Sequence, residues 1–333
     1  MILPHNEAVM TVHDAGLPEV AEACIDALGS GKPAVIAVVL ETLGSTYARA
    51  GTVVVFAQDQ HVGWLSGGCL EPEIERRAVQ AATDRRIDWM EIDTRDDDAL
   101  FSGNAVGCRG CQRIALIPVA AFPGCASVLQ AWLDGAGSLR LTLDVTGNVR
   151  LSCDTPCSEG RLPAQALPWQ AEQARWSLQW APPPRVLLLG AGPEAMPLVP
   201  VLRGLGWRVS VNDPRPAWRE RCALAVAATG IDAALAEGDA FDAVLVMHHN
   251  FELDLQALQA LASTQVSFVG LLGPARRRDD LFTLLRPAAV EALTGRLRSP
   301  IGLDLGGRGP HAIALSIAAQ LQAWRHASAQ SVP

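Results

Sequence analysis

The sequence predicts an α/β protein in two parts, and three observations carry the prediction. Arg185-Val186-Leu187-Leu188-Leu189 is an unbroken apolar run of the kind buried on both faces of a parallel sheet. It leads into Gly190-Ala191-Gly192-Pro193-Glu194-Ala195, a glycine turn that opens a helix, and a second branched-chain strand follows over 207–213. Ahead of this pattern, Pro182-Pro183-Pro184 can continue neither a helix nor a central strand. The division is therefore an N-terminal mixed α/β domain, residues 1–180, and a Rossmann-like doubly wound parallel-sheet domain, residues 184–330.

In the first part, 19–28 reads as a helix ended by Gly29-Ser30-Gly31, and 34–40 as a buried strand rich in branched side chains. Strands over 52–57 and 61–65 flank the polar turn Gln58-Asp59-Gln60. The chain then passes through Ser66-Gly67-Gly68-Cys69-Leu70-Glu71 into a helix. Pro72 falls in its first turn, where a missing N–H is tolerated, and the acids Glu73 and Glu75 follow. Strands near 87–92 and over 112–119, a helix over 126–133 and a hairpin of 139–143 with 149–151 come next. Between 154 and 168 the pattern fades into polar and proline-rich sequence. In the second part a helix runs to 205, Gly206 ends it, and strands are expected over 207–213, 243–247 and 266–270.

The turn from Ser66 to Glu71 places a thiol and a carboxylate where a strand hands over to a helix. Glycines keep side chains off the backbone there, and amides at a helix start favour an anion. The alternative is a tight turn around a buried thiol. In the second part Asp213 lies 21 positions beyond Gly192, at the end of the second strand. That is the dinucleotide fingerprint, in which backbone approaches a pyrophosphate and a carboxylate meets a ribose; the alternative is a fold kept without its nucleotide. The carboxyl ends of parallel strands face one crevice, so Gly190, Gly192, Asp213, His249, Gly273 and Arg276 are expected to converge. Cys108 and Cys111, with Cys153 and Cys157, have spacings from which a four-thiolate zinc site can be drawn. Cys24, Cys125 and Cys222 sit among apolar residues and read as core.

Composition limits the function. The 333 residues suit two domains, and 49% apolar against 19% charged residues indicates filled interiors. A formal charge of -8 argues against nucleic acid or an anionic membrane as partner. The first residues lack a basic flank and apolar core, and no apolar run approaches a membrane span, so a cytoplasmic protein with eight reduced cysteines is expected.

Four blocks in order, Gly44-Ser45-Thr46, the turn from Ser66 to Glu71, Gly107-Cys108-Arg109-Gly110, and Ser299-Pro300-Ile301-Gly302-Leu303-Asp304-Leu305-Gly306, resemble those of the xanthine dehydrogenase accessory protein family (XdhC/CoxI). Two departures stand out. Thr46-Tyr47-Ala48-Arg49 replaces the family's prolines and basic residue, and Pro193 replaces the His of its second glycine loop. The resemblance implies an accessory protein of purine catabolism rather than an enzyme. Such a chaperone receives sulfurated molybdenum cofactor, as molybdopterin or its dinucleotide form, protects it, and inserts it into a xanthine dehydrogenase-type molybdenum hydroxylase. It further implies cofactor contacts at Ser45, Ser66, Gly67, Gly68, Cys69, Glu71 and Cys108 in the first domain, with Cys69 and Cys108 facing the metal. In the second domain the implied contacts are Gly190, Gly192, Asp213, His249, Gly273 and Asp304. A cysteine desulfurase as sulfur donor and a homodimer complete the implied picture. Two other classes stay open: an oxidoreductase using flavin or an NAD(P)-like nucleotide, and a nucleotide-sensing regulatory module.

Overall fold

The computed structural model describes residues 10–12, 16–57, 60–95, 109–170, 173–236 and 241–330. The chain divides into two units, Met1–Pro183 and Pro184–Pro333.

In chain order, the first unit contains β1 (Met10–Val12), α1 (Leu17–Gly29), β2 (Ala34–Gly44), β3 (Val53–Ala57), β4 (Gln60–Val62), α2 (Glu71–Asp84), β5 (Asp88–Asp93), β6 (Gly110–Pro118), α3 (Cys125–Leu133), β7 (Leu139–Asp144), β8 (Asn148–Cys153), β9 (Cys157–Arg161) and β10 (Arg175–Trp180). One sheet has the order β4-β3-β2-β6-β5, with every pairing antiparallel. The other has the order β1-β10-β7-β8-β9. Alternating residues of β2 explain how the first sheet is covered twice. Val35, Ala37 and Val39 meet Ile74, Ala78 and Ala81 of α2, while Val38 and Leu40 join the larger core with Leu17, Cys24 and Trp132. The cleft described below lies on the α2 side.

Several expectations shift here. The strand expected over 61–65 stops at Val62, because Gly63 takes φ +96 and the chain leaves the sheet. The polar segment 154–168 contains β9, paired with β8. β10 lies outside the expected elements, although it pairs with β1 on one side and β7 on the other and buries Trp176, Leu178 and Trp180 in period-two alternation.

The second unit follows the expected fold class. It contains β11 (Arg185–Leu189), α4 (Ala195–Gly204), β12 (Arg208–Asn212), α5 (Pro216–Arg221), α6 (Ile231–Ala234), β13 (Ala243–Val246), α7 (Phe251–Leu261), β14 (Phe268–Leu271), α8 (Ala275–Leu284), α9 (Pro287–Leu293), β15 (Leu297–Arg298) and α10 (Pro310–Gln330). All strands run parallel in the order β12-β11-β13-β14-β15. Val186 and Leu188 pack with Leu198 of α4 and Ile317 of α10, whereas Leu187 and Leu189 pack with Leu258 of α7 on the opposite face. Both faces being covered, β11 after Arg185, β13 and β14 are apolar, whereas the edge strand β12 carries Arg208 and Ser210. The strand order reverses between β11 and β13, which puts the ligand crevice of such sheets beside Gly190.

Candidate functional site

In the first unit, chain segments far apart in sequence meet where α2 leaves the first sheet. β2 ends at Gly44 and runs into Ser45, whose N–H donates to the Arg109 carbonyl at 3.0 Å. β6 starts at Gly110, where any Cβ would collide with the Ser45 carbonyl, and a Cβ on Gly44 would stand 2.6 Å from the Arg109 carbonyl. The two backbones therefore touch because neither position carries a side chain. Thr94 fastens the junction: its hydroxyl donates to the Gly110 carbonyl at 2.9 Å and accepts from the Gly110 N–H at 3.2 Å. The resulting shallow cleft, with about 30 Å³ of enclosed space, is lined by Ser45, Thr46 and Tyr47, by Ser66, Gly67 and Leu70, and by Thr94, Gly110 and Gln112 among others. Three of the sequence blocks thus share one site. Gly107 and Cys108 lie outside the described residues.

The turn between β4 and α2 is built around Glu71. This carboxylate is 5% exposed; its Oε1 accepts from Leu65 N at 2.9 Å, Ser66 N at 2.8 Å and the Ser66 hydroxyl at 3.2 Å. Ser66 Oγ in turn accepts from Gly68 N at 3.2 Å and Leu70 N at 3.3 Å. Ser66 and Glu71 brace the turn, their polar atoms bonded to its backbone, and Ser66 also lines the cleft. Glu71 Oε2 faces His61 Nε2 at 3.7 Å, and the His61 ring stacks on Phe56. Above this brace the loop is open. Gly68 takes φ +98, a Cβ on Gly67 or Gly68 would meet nothing within 4 Å, and Cys69 is an exposed free thiol. The buried-thiol alternative does not apply to Cys69. The amides of Gly67 and Cys69 have no partner among the described residues.

The crevice of the second unit brings together most of the residues expected there, with different roles. Gly190, at φ +125, lies so close to β13 that a Cβ would stand 2.5 Å from the Met247 carbonyl. Asp213 is fully buried just past β12, and its four contacts come from its own chain. Oδ2 accepts from Ala191 N at 2.9 Å and Arg215 Nη2 at 2.7 Å; Oδ1 accepts from Arg215 N at 3.0 Å and Nε at 2.9 Å. Burial pushes the carboxyl up, but the bonds from Arg215 and Ala191 outweigh it and hold Asp213 below the usual aspartate range. Asp213 thereby clamps the glycine loop through Ala191.

Glu194 occupies the N-terminus of α4, buried except for 5%, with Oε2 at 3.0 Å from His249 Nε2. A Cβ on Gly192 would stand 3.2 Å from Glu194 Oε2 and 3.3 Å from His249 Cδ2, so Gly192 and His249 do converge. The carboxylate makes no hydrogen bond to the amides of the helix start and turns to His249 instead. His249 holds a positive φ of 54, a conformation that a non-glycine residue adopts only when its surroundings impose it. His248, in contrast, is fully buried, with Nδ1 at 3.2 Å from Asp254 Oδ1. Arg277 completes that group, donating to Asp254 Oδ2 at 2.7 Å, and its stem is what a Cβ on Gly273 would strike. Arg276, expected in the crevice, is 91% exposed; helical spacing turns Arg277 inward in its stead. Asp304 is exposed on the loop between β15 and α10.

Of the four cysteines from which a zinc site can be drawn, Cys108 lies outside the described residues. Cys111 is buried on β6, where burial, and then Glu91 and Asp93, push its thiol up and disfavour the thiolate a metal needs. Burial and Asp154 do the same to Cys153, while Cys157 is exposed on β9. No group of three or more His, Cys, Asp or Glu side chains is placed to hold a metal among the described residues. Cys24 and Cys125 are core, with Cys125 pushed up by burial to about 12. Cys222, also expected in the core, is partly exposed, with Sγ at 3.6 Å from Met196 Sδ.

Sequence reasoning missed Tyr47, Thr94 and Gln112 in the cleft and Glu194 and Arg215 in the crevice. Glu194 had a signal, an acid inside the glycine loop itself. Gln112 was visible only as a polar residue entering an apolar strand.

An antiparallel α/β unit with a glycine-walled cleft beside a free thiol, followed by a unit with a Rossmann-type parallel sheet, defines a two-unit α/β protein of the ligand-binding kind. Residues 27–92 match the XdhC and CoxI family, and residues 186–321 match the XdhC Rossmann domain. The chain belongs to the XdhC/CoxI family. It is 28% identical over 309 residues to a Bacillus subtilis protein named as a probable xanthine dehydrogenase subunit, covering 86% of this chain and 92% of that one. It is 24% identical over 306 residues to the Escherichia coli molybdenum cofactor insertion chaperone PaoD, covering 90% and 86%. A crystal structure of a xanthine dehydrogenase from Bacillus halodurans has the same fold, with a TM-score of 0.74 over 95% of this chain and 97% of that one at 24% identity. No helix among the described residues is long and apolar enough to cross a membrane.

Proposed function

We propose that this protein is a cytoplasmic chaperone that binds sulfurated molybdenum cofactor, shields it, and inserts it into a xanthine dehydrogenase-type molybdenum hydroxylase. The observation that carries the reading is the convergence of the Ser45–Tyr47 loop, the turn at Ser66 and Gly67 and the start of β6 on one cleft, with the exposed thiol of Cys69 carried by the same turn. The named activity of PaoD supports the same cargo.

The chain's own groups suit that task. A soft thiolate at Cys69 matches a soft, sulfur-rich metal centre, and Cys108, close in sequence to Gly110, is proposed as its companion. The unpartnered amides of Gly67 and Cys69 offer hydrogen bonds to the cofactor's anionic end. Ser66 and Glu71 hold that loop in shape. Ser45 and Gly68 border it. Within the second unit, Gly190, Gly192, His249, Gly273 and Asp304 are proposed to meet the cargo's distal part, with Asp213 acting through the loop it clamps. A cysteine desulfurase as sulfur donor and a homodimeric assembly belong to the same proposal.

An NAD(P)-dependent oxidoreductase fits the crevice less well, because the acid at the ribose position, Asp213, is committed to Ala191 and Arg215. The test is anaerobic purification from cells making the cofactor, with molybdenum and terminal sulfur measured in the parent and in Cys69→Ala. Stoichiometric molybdenum in the parent, reduced in a folded variant, is the expected result; a metal-free parent contradicts the proposal.

A further inference from the structure

We infer that the first-unit cleft reads the flat heterocyclic end of its cargo, with Tyr47 stacking on the ring and Gln112 Oε1 accepting a hydrogen bond from a ring or exocyclic N–H. The inference rests on the proposed function in taking the cargo to carry a pterin.

Gln112 carries most of the argument. It lies on the central strand β6, 5% exposed, and lines the cleft. Its Nε2 donates to the carbonyls of Ala48 and Leu65, each at 3.2 Å. Both partners can only accept, so the orientation of the amide is fixed and both donor hydrogens are used. Among the described residues nothing donates to Oε1. A nearly buried side chain thus presents one open acceptor and no open donor, which selects a ligand that brings an N–H. The cleft's other walls exclude other chemistries. Its described lining holds hydroxyls, backbone and the apolar side chains Leu65, Leu70 and Ile92, with no charged side chain. A cationic ring finds no counter-charge there, and a neutral planar ring finds apolar faces and one acceptor, while an anionic group is left to the amides of the Gly67–Cys69 turn. Tyr47 supplies the remaining surface. It is 57% exposed on the loop after β2, lines the same cleft, and its ring and hydroxyl have no partner among the described residues. Aromatic faces of this kind bind heterocycles by stacking. A pterin and a guanine present the same amino and amide N–H edge, so the experiment separates the pterin from the nucleotide of a dinucleotide form.

Tyr47 is the chain's one tyrosine. The full-length protein grown with 3-fluorotyrosine therefore carries a single fluorine reporter in the cleft. Its ¹⁹F resonance is followed on titration with neopterin, with guanosine monophosphate, and with 1,3-dimethyllumazine, a planar pteridine without ring N–H. A saturable shift with neopterin assigns the pterin end, and one with the nucleotide alone assigns the distal base. Dimethyllumazine binds at least tenfold more weakly on this reading. By calorimetry Tyr47→Ala loses about tenfold in affinity for the responding ligand, and Tyr47→Phe retains it. No shift with either N–H-bearing ligand, equal binding of dimethyllumazine, or parental affinity in Tyr47→Ala overturns the inference. If such a protein still captures molybdenum cofactor, only the ring assignment falls; if it captures none, the proposed function falls as well.

Discussion

Cys69 and Glu71 stand two positions apart and face opposite ways, and their substitution should separate binding from stability. Cys69→Ala removes an exposed Sγ that packs against little, so its stability should stay within about 0.5 kcal/mol of the parent while cofactor capture drops. A fall in stability matching the fall in capture would make the thiol structural. Glu71→Ala does the reverse first: it strips two buried amides, Leu65 N and Ser66 N, of their acceptor, and should cost about 1–3 kcal/mol in denaturant unfolding before any ligand is added. Unchanged stability there would mean that the turn is held by something else. The residue types of this turn were legible in the sequence because two glycines, a thiol and an acid at a helix start form a recognisable set. The direction of each side chain was not. Ser66 and Glu71 point inward because the turn passes over them, and only the three-dimensional path of the chain decides that.

The glycine loop of the second unit is an element whose chemistry is fixed by its contacts more than by its fingerprint. Gly192→Val puts a branched side chain where Glu194 Oε2 and His249 Cδ2 already stand at 3.2–3.3 Å. It should separate that pair and lower cargo affinity in a protein that still melts cooperatively; parental affinity would show the loop to be a relic of the fold. Asp213 gives a pH dependence. Its folded carboxyl is held below the aspartate range, so its contribution is present at neutral pH and fades as pH falls below about 4 toward the folded value. Asp213→Asn should therefore be less stable than the parent at pH 7, with the gap closing on acidification. A constant gap across that range would contradict the clamp. At this scale β11 and its glycine loop were legible because a fully buried parallel strand is a continuous apolar run, and β12 because branched residues alternate up to Asp213. β10 was obscured, although Trp176, Leu178 and Trp180 alternate, because it follows a polar stretch. The cleft itself was out of reach, since the pairing of Gly44 with Gly110 joins positions that no local pattern connects.

Taken as a whole, the molecule has two units that carry different kinds of site. The first presents an open glycine turn, a free thiol and a cleft without charged lining, and the second a crevice edged by the Asp213–Arg215 and Glu194–His249 pairs. On the proposed function the protein supplies a partner rather than converting a metabolite. The effect of its loss should then appear in the partner. The decisive measurement is the molybdenum content, terminal sulfur and turnover of the hydroxylase purified from cells lacking this chain. The account predicts a hydroxylase polypeptide that is present and assembled yet poor in sulfurated molybdenum and in activity. A hydroxylase with full metal content and full activity from those cells would contradict it.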